Sequence, residues 1–172
     1  MGSLLKDIYS RSFYDGFADV VASVNPSFNK QKFLQFIFDA DWPEMELKER
    51  MRHTSLALHQ FLPGNFEKTA KTITEIIKKL RKNGNESGFE YMFLPDYIET
   101  YGIDHYEVSV KSIEFITQFT SCEFAVRPFL IKYGHKMIRQ MHAWSLHENH
   151  NVRRLASEGM RPRLPWAMAV PV

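Results

Sequence analysis

The 172-residue sequence predicts an all-α fold, and three observations support this prediction. Large apolar residues recur at spacings of three and four, which is the period of an amphipathic helix. Alternating apolar and polar runs, which are typical of strands, are short, and no Asn-Gly turn joins two β-rich segments. Only eight Gly and eight Pro interrupt a chain that contains fourteen Phe, seven Tyr and eight Met. This composition favours helices packed on helices.

Length and composition indicate a single globular domain over residues 1–172. Hydrophobic residues make up 44% of the chain and charged residues 24%, which is the balance of a soluble protein with a sizeable core. The formal net charge is only +2 at pH 7, so the chain as a whole is not a polycation. Any surface that binds nucleic acid must therefore be a local patch of charge.

The cysteine count and the N-terminal sequence predict a cytoplasmic setting. Cys122 is the only cysteine, so no disulfide can form within the chain and a reducing compartment is expected. Residues 1–10 include Lys6 and Asp7 and lack the apolar centre of a signal peptide. No apolar run approaches the length of a membrane span, so no membrane partner is expected.

The clearest helix is expected between Asn65 and Asn83. Pro63 and Gly64 precede it, Asn65 is a suitable N-cap, and Asn83-Gly84 ends it. The basic run at residues 78–82 predicts a solvated helix end, where cations meet the negative end of the helix dipole. A peripheral phosphate contact is the alternative for that run. The apolar stripe of this helix consists of Phe66, Ala70, Ile73, Ile77 and Leu80.

Two further helices follow from the same kind of pattern. One is expected to begin near Pro43, a residue favoured in a first turn, and to continue to Leu62. The other is expected to start at Asp104, with Glu107 completing a capping box, and to run to Phe119. The apolar positions of the two helices are Leu47, Met51, Leu58 and Leu62 in the first, and Val110, Ile113, Ile116 and Phe119 in the second.

Short polar breaks suggest that the helices occur in pairs. The motif Phe-Leu-Pro recurs at residues 61–63 and 93–95, each time before an expected helix start. Residues 127–130 are expected to begin a later helix. Loose recurrence over roughly thirty to forty residues is typical of paired-helix repeats. An irregular helical bundle remains the alternative. The stretch from Asn83 to Gly88 is polar and predicts a surface loop.

Residues 151–167 form the segment most suggestive of function. A helix over residues 152–159 would place Val152, Leu155, Ala156 and Gly159 on one face. Arg154 and Glu158 would be neighbours at i and i+4 on the other side. The segment contains four arginines, one carboxylate and one tryptophan: Arg153, Arg154, Arg161, Arg163, Glu158 and Trp166.

This concentration of arginine around an aromatic residue favours a polyanionic ligand. Guanidinium groups match phosphate oxygens, and an indole among arginines can pack on a base or a sugar. The alternative is structural: an ordinary intrahelical ion pair between Arg154 and Glu158, with Trp166 as a core anchor. The residue types and their spacing leave both interpretations open.

Glu123 is a second candidate for an acidic site residue. Its structural alternative is an acid in a first helical turn that pairs with Arg127. The adjacent Cys122 predicts a buried thiol, because no base or oxyanion motif accompanies it. His147 and His150 do not have the spacing of a helical zinc motif, so no metal site is predicted and a polar turn is expected there.

The residues around this segment resemble a known protein family. Residues 152–167, with the sequence VRRLASEGMRPRLPWA, are similar to the signature of the AlkC-type DNA alkylation repair glycosylases. Three further stretches resemble that family in the same order, at residues 47–62, 93–106 and 122–130. The resemblance covers nearly the whole chain and is to the N-terminal portion of the family.

The resemblance implies a fold and an activity. It implies an all-α solenoid of HEAT-like repeats, truncated at its C-terminal end, whose concave basic face holds duplex DNA. The implied activity is a DNA repair glycosylase that hydrolyses the N-glycosidic bond of small cationic alkylated bases, of the 3-methyladenine type. Neither a cofactor nor obligatory base flipping is implied. A catalytically impaired fragment that binds DNA or protein is the alternative, and a helical scaffold without a nucleic-acid role is a third.

The resemblance also implies roles for the candidate residues. Glu158 and Glu123 are the implied catalytic carboxylates near the sugar of the lesion. Arg154 is expected to hold the DNA backbone or to brace Glu158, and Trp166 to pack against the deoxyribose or the lesion. The implied phosphate contacts are Arg153, Arg161 and Arg163.

Overall fold

The computed structural model describes residues 4–62, 64–86 and 88–170. Over these ranges the protein consists of nine α-helices and three short 3-10 helices, with no β-strand. None of these helices is long and apolar enough to cross a membrane. The all-α prediction is therefore confirmed for the described residues. Pro63, which the sequence places before a helix, lies outside them.

The chain divides into two compact units, which we call unit one (residues 1–86) and unit two (residues 87–172). The division falls within the surface loop that the sequence predicts between Asn83 and Gly88. The single domain over residues 1–172 stays a prediction. Each unit is described by itself below.

Unit one contains four helices that pack in a chain of neighbours. Helix α1 contacts α2 and α4, and α2 contacts α3. Short 3-10 helices precede α1 and α3, at Leu5–Ile8 and Trp42–Glu44. The four α-helices are α1 (Arg11–Val24), α2 (Lys30–Ile37), α3 (Leu47–Phe61) and α4 (Phe66–Lys82).

Aromatic side chains form the core of unit one. Tyr14 is fully buried, and its ring lies 5.6 Å from that of Trp42 and 6.4 Å from that of Phe33, centroid to centroid. Its hydroxyl lies 2.5 Å from Oγ1 of Thr54, which itself donates to the carbonyl of Arg50. Burial raises the pKa of Tyr14 above its ordinary value, so the phenol stays neutral and can donate this bond.

Helix α4 agrees closely with its prediction. The Oδ1 atom of Asn65 accepts a hydrogen bond from the backbone N–H of Lys68 at 3.0 Å, so Asn65 is the N-cap. The C-cap is Asn83, one residue after Lys82. All members of the predicted stripe are buried, namely Phe66, Ala70, Ile73, Ile77 and Leu80.

Helix α3 begins later than the sequence suggests. Pro43 lies in the 3-10 turn Trp42–Glu44 and not in the first turn of α3, which starts at Leu47. The start is fixed by acidic residues, since the backbone N–H of Glu46 donates to Oε2 of Glu49 at 2.7 Å. A carboxylate three residues after the cap accepts from the N-cap N–H, which is one of the four N–H groups that have no partner within the helix.

Unit two contains five helices. Helix α5 contacts α6 and α7, α7 contacts α8, and α8 contacts α9. Pro95 of the second Phe-Leu-Pro motif lies inside the first turn of α5 and not before the helix. The five helices are α5 (Phe93–Tyr101), α6 (Tyr106–Ile116), α7 (Val126–Tyr133), α8 (His135–Ser145) and α9 (His150–Gly159).

The predicted capping box of α6 is wrong. The helix starts at Tyr106, and Asp104 pairs with Lys132 of α7 while Glu107 pairs with Lys136 of α8 at 2.9 Å. Both carboxylates are thus used in contacts between helices, which local spacing cannot reveal. The helix also ends at Ile116, so Phe119 is buried in the turn that follows it.

Candidate functional site

Helix α9 carries the segment that the sequence singles out. It starts two residues earlier than predicted, at His150, because Oδ1 of Asn149 accepts a hydrogen bond from the backbone N–H of Asn151 at 2.9 Å. Arg154 is exposed, Glu158 is half-buried, and both lie on the side away from the core, as predicted. The predicted apolar face is buried throughout, at Val152, Leu155, Ala156 and Gly159.

The connection between α6 and α7 positions Glu123. Cys122 is fully buried, with its Sγ 3.7 Å from the carbonyl oxygen of Ile113, and this fixes the backbone beside Glu123. The backbone N–H of Glu123 donates to Oγ of Ser121 at 3.3 Å. The predicted buried thiol is confirmed, and its burial raises the pKa of Cys122 well above the ordinary value, which disfavours the thiolate. Glu123 lies three residues before α7 and not in its first turn.

A tertiary ion pair joins α9 to this connection. Nη2 of Arg154 lies 2.9 Å from Oε1 of Glu123, whose side chain is only 14% exposed. The structural alternatives drawn from sequence are therefore wrong, because Arg154 does not pair with Glu158 and Arg127 does not pair with Glu123. Glu158 instead pairs with Arg161, again at 2.9 Å. A contact between residues 31 positions apart takes precedence over the i,i+4 neighbour.

Arg127 holds the loop that follows α9. Its side chain is fully buried, and its Nη1 donates to the carbonyls of Gly159 at 3.1 Å and Arg161 at 2.9 Å. Its Nη2 donates to the carbonyl of Pro162 at 2.9 Å, and its Nε donates to that of Met168. Burial lowers the pKa of the guanidinium, which nevertheless stays charged because an arginine pKa begins so high. Arg127 is thus the residue that fixes the path of the loop.

This loop presents Trp166 at the surface. The Trp166 side chain is 65% exposed, so the structural alternative of a core anchor is wrong. Its backbone φ is +63°, a left-handed conformation that bulky residues rarely adopt. The turn is closed by the backbone N–H of Ala167, which donates to the carbonyl of Leu164 at 3.1 Å. Strained backbone that displays a large aromatic side chain is typical of binding sites. Arg163 is also exposed in this loop.

Arg153, the first arginine of the segment, makes a structural contact. Nη1 of Arg153 donates to the carbonyls of His147 and Glu148, at 2.7 and 2.6 Å. These carbonyls belong to the turn between α8 and α9. The side chain remains at the surface, so its predicted phosphate contact and its role in the turn are compatible.

A cleft of about 430 Å³ lies beside the Glu123–Arg154 pair. Its walls are the segment that contains Phe89, the α6–α7 connection and the first turn of α9, which contributes Asn151. Oγ1 of Thr120 donates to the carbonyl of Gly88 at 2.8 Å and so ties two of these walls together. Glu158 is not among the described residues that line this cleft.

The cleft combines groups with complementary chemistry. The Glu123 carboxylate can stabilise positive charge in a bound ligand, and the exposed Arg154 can contact a phosphate. Phe89, 38% exposed, offers an aromatic face. Phe89 has no signal in the sequence that separates it from other phenylalanines, and Asn151, although it opens the segment 151–167, is not itself a predicted site residue. Both belong to the cleft through folding alone.

His147 is occupied by local contacts. Nδ1 of His147 accepts from the backbone N–H of Asn149 at 2.9 Å, and its Nε2 lies 3.8 Å from Oε1 of Glu114. The predicted polar turn between α8 and α9 is present. Over the described ranges, no three side chains of His, Cys, Asp or Glu are grouped closely enough to hold a metal ion.

The chain is similar to known proteins in sequence and in fold. No protein-family model matches the chain. The uncharacterized protein YhaZ of Bacillus subtilis is 42% identical over 167 residues, which are 97% of this chain and 45% of that protein. The alkylpurine DNA glycosylase AlkC of Pseudomonas fluorescens, solved bound to DNA containing an abasic site analog, superposes with a TM-score of 0.90 at 34% identity. That match covers 99% of this chain and 46% of the AlkC chain.

The chain is AlkC-like. The resemblance that the signature at residues 152–167 predicts is confirmed, and the all-α helical-repeat fold class is confirmed with it. The chain spans a little under half the length of both proteins that it matches. The AlkC-like part includes Glu123, Arg154, Glu158 and Trp166, since the match covers nearly every residue of the chain.

Proposed function

We propose that this chain is part of a DNA glycosylase that removes alkylated purines from duplex DNA. The observation that carries the proposal is the likeness to the AlkC glycosylase, at a TM-score of 0.90 over 99% of the chain. The cleft with Glu123 and Arg154 supports it, because it pairs a carboxylate with a cation at a surface rich in arginine. Since the chain spans 46% of the AlkC chain, the glycosylase activity is a proposal for this chain and is tested on it.

The proposed substrate is a small cationic alkylated base of the 3-methyladenine type. When the N-glycosidic bond breaks, its electron pair goes to the base and cancels the positive charge there. Positive charge develops on the deoxyribose, where a water oxygen then bonds to the anomeric carbon and loses a proton. A carboxylate directed at the sugar stabilises this charge and can position the water. A cationic base leaves without being protonated, so obligatory base flipping into a pocket is not part of the proposal.

The proposed roles follow the chemistry of each side chain. Glu123 faces the sugar from the cleft wall, and Arg154 moves from Glu123 to a DNA phosphate or holds the carboxylate in place. Glu158, at the other end of the exposed side of α9, is the second carboxylate. Trp166 packs on the deoxyribose or the lesion. The proposed phosphate contacts are Arg153, Arg161 and Arg163, of which Arg161 is 59% exposed.

A DNA-binding chain without turnover is the second candidate function. The observation that favours it is the surface itself, where the side chains of Arg154, Arg163 and Trp166 are exposed. In this second case the arginine-rich surface around Arg154 and Trp166 would still bind DNA, with a strong dependence on salt.

Chromatography of the bases released from methylated duplex DNA distinguishes the two candidates. The glycosylase is expected to release 3-methyladenine and to leave a neutral alkylated base such as O6-methylguanine in place, because only the cationic base is a good leaving group. Glu158→Gln, run alongside, is expected to reduce release while DNA binding remains. Salt-dependent DNA binding by the folded wild-type chain with no released base would support the second candidate.

A further inference from the structure

Helix α4 presents a row of lysines on its solvent side, in unit one and outside the candidate site. At 100° per residue these positions fall within a sector about 100° wide, opposite the buried stripe centred on Ile77. The row extends over about 21 Å at 1.5 Å per residue. We call it the lysine row; its members are Lys68, Lys71, Lys78, Lys79 and Lys82.

Positive charge is concentrated in this helix. α4 contains six lysine and arginine residues against two glutamates, while the whole chain contains 22 against 20. Without α4, acidic residues would outnumber basic ones. The near-neutral net charge of the protein therefore conceals one strongly basic helix.

Most of the lysine row differs from several other surface lysines in its partners. Lys30, Lys132 and Lys136 each pair with a carboxylate from another segment of the chain. Among the described residues, no carboxylate lies within ion-pair distance of four members of the row; only Lys78 has such a partner, Glu75 at 2.7 Å. The four are Lys68, Lys71, Lys79 and Lys82.

The helix dipole explains the positions of only some lysines in the row. Lys79 and Lys82 lie in the last turn, where cations are favoured. Lys68 lies in the first turn, where the dipole disfavours a cation. Lys78 and Lys82 also repel each other at i and i+4. Lysine at these positions reduces the stability of the helix. Its presence there is therefore better explained by binding of an anionic ligand than by helix stability.

We propose that the lysine row contacts the phosphate backbone of duplex DNA, apart from the lesion site. Duplex DNA carries one negative charge about every 1.7 Å of its axis, so about twelve phosphates lie along the length of the row. Flexible lysines bind phosphates as point charges without reading sequence. The inference rests on the proposed function, and it adds a sequence-independent surface that raises affinity for any duplex, damaged or not.

Binding of undamaged duplex DNA at several salt concentrations tests this inference. The test variant combines Lys68→Gln, Lys71→Gln, Lys79→Gln and Lys82→Gln. The control variant makes the same change in net charge elsewhere, with Lys32→Gln, Lys111→Gln, Lys132→Gln and Lys136→Gln. Gln has nearly the helix propensity of Lys, so both variants are expected to fold, and circular dichroism checks this.

The test variant is expected to bind at least about tenfold more weakly than the control at moderate salt. The slope of log binding constant against log salt concentration is expected to be smaller by about 0.9 for each phosphate that its side chains no longer neutralise. Base release at saturating protein is expected to stay unchanged in both variants. Equal affinities of the two variants would overturn the inference while leaving the proposed glycosylase intact. Loss of binding to vesicles of anionic lipid, with full affinity for DNA, would also overturn it. Absence of DNA binding by the wild-type chain would contradict both proposals.

Discussion

Arginine side chains have two different roles in unit two. Arg127 is fully buried and donates to four carbonyls, so it acts as part of the backbone framework of the loop after α9. Arg154 is 60% exposed and pairs with Glu123, so it can exchange that partner for a phosphate. In the sequence, Arg127 and Arg154 look alike, because each lies four residues from a glutamate. Burial, which depends on the packing of α7 against its neighbours, separates the framework residue Arg127 from Arg154, for which we propose a contact with the ligand.

Replacement of Arg127 tests its role in the framework. Arg127→Gln removes most of its donors and leaves buried carbonyls without partners, so we expect the free energy of unfolding to fall by about 2 kcal/mol or more. Urea denaturation followed by circular dichroism measures this. The exposed Arg163→Gln is the control and should change stability by less than about 0.5 kcal/mol. Equal stabilities of the two variants would show that the loop does not depend on Arg127.

At the scale of helices, α9 depends on close packing at its C-terminal end. A Cβ atom on Gly159 would lie 2.8 Å from Cγ2 of Val126 and 3.0 Å from Cε of Met141. The small residue at this position therefore lets α9 approach α7 and α8. The Glu123–Arg154 contact depends on that approach, because its two residues lie on α9 and just before α7.

Alanine at Gly159 is expected to destabilise the protein despite its better helix propensity. The added methyl group overpacks the interface, at a cost of about 1–3 kcal/mol. The matched control is Gly16→Ala in α1, where the new Cβ meets no atom within 4 Å and a gain of up to about 1 kcal/mol is expected. Thermal unfolding of both variants, and of Gly159→Ala with Val126→Ala, measures the effect. A stabilised Gly159→Ala variant would contradict this packing.

The sequence predicts helices better than it predicts their partners. The buried faces of α4 and α9 follow from periodicity alone, because one face of each helix must leave water. The start of α6 is missed because Asp104 and Glu107 bind lysines of other helices. The pairing of Glu123 with Arg154 is missed for the same reason. Periodicity is a local property, whereas ion pairs between helices depend on which helices meet.

At the scale of the whole chain, positive charge occurs in several local segments, and two of them carry our proposals. One is the lysine row of α4, and the other is the arginine-rich segment from Arg153 to Arg163. The near-neutral net charge predicts that any nucleic-acid surface must be a local patch. The proposal that the ligand is DNA rests on the resemblance at residues 152–167 and on the likeness to AlkC, since charge alone cannot distinguish one polyanion from another.

Single-turnover release of 3-methyladenine from methylated duplex DNA, by the wild-type chain and by Glu123→Gln, tests the central claim most directly. We predict release by the wild type and a rate at least about 10²-fold lower for the variant, the order of loss when one stabilising group is removed from a charged transition state. DNA affinity should remain comparable, since Arg154 is then free to bind phosphate. Release by Glu123→Gln at the wild-type rate, or no release by the folded wild-type chain, would contradict the account.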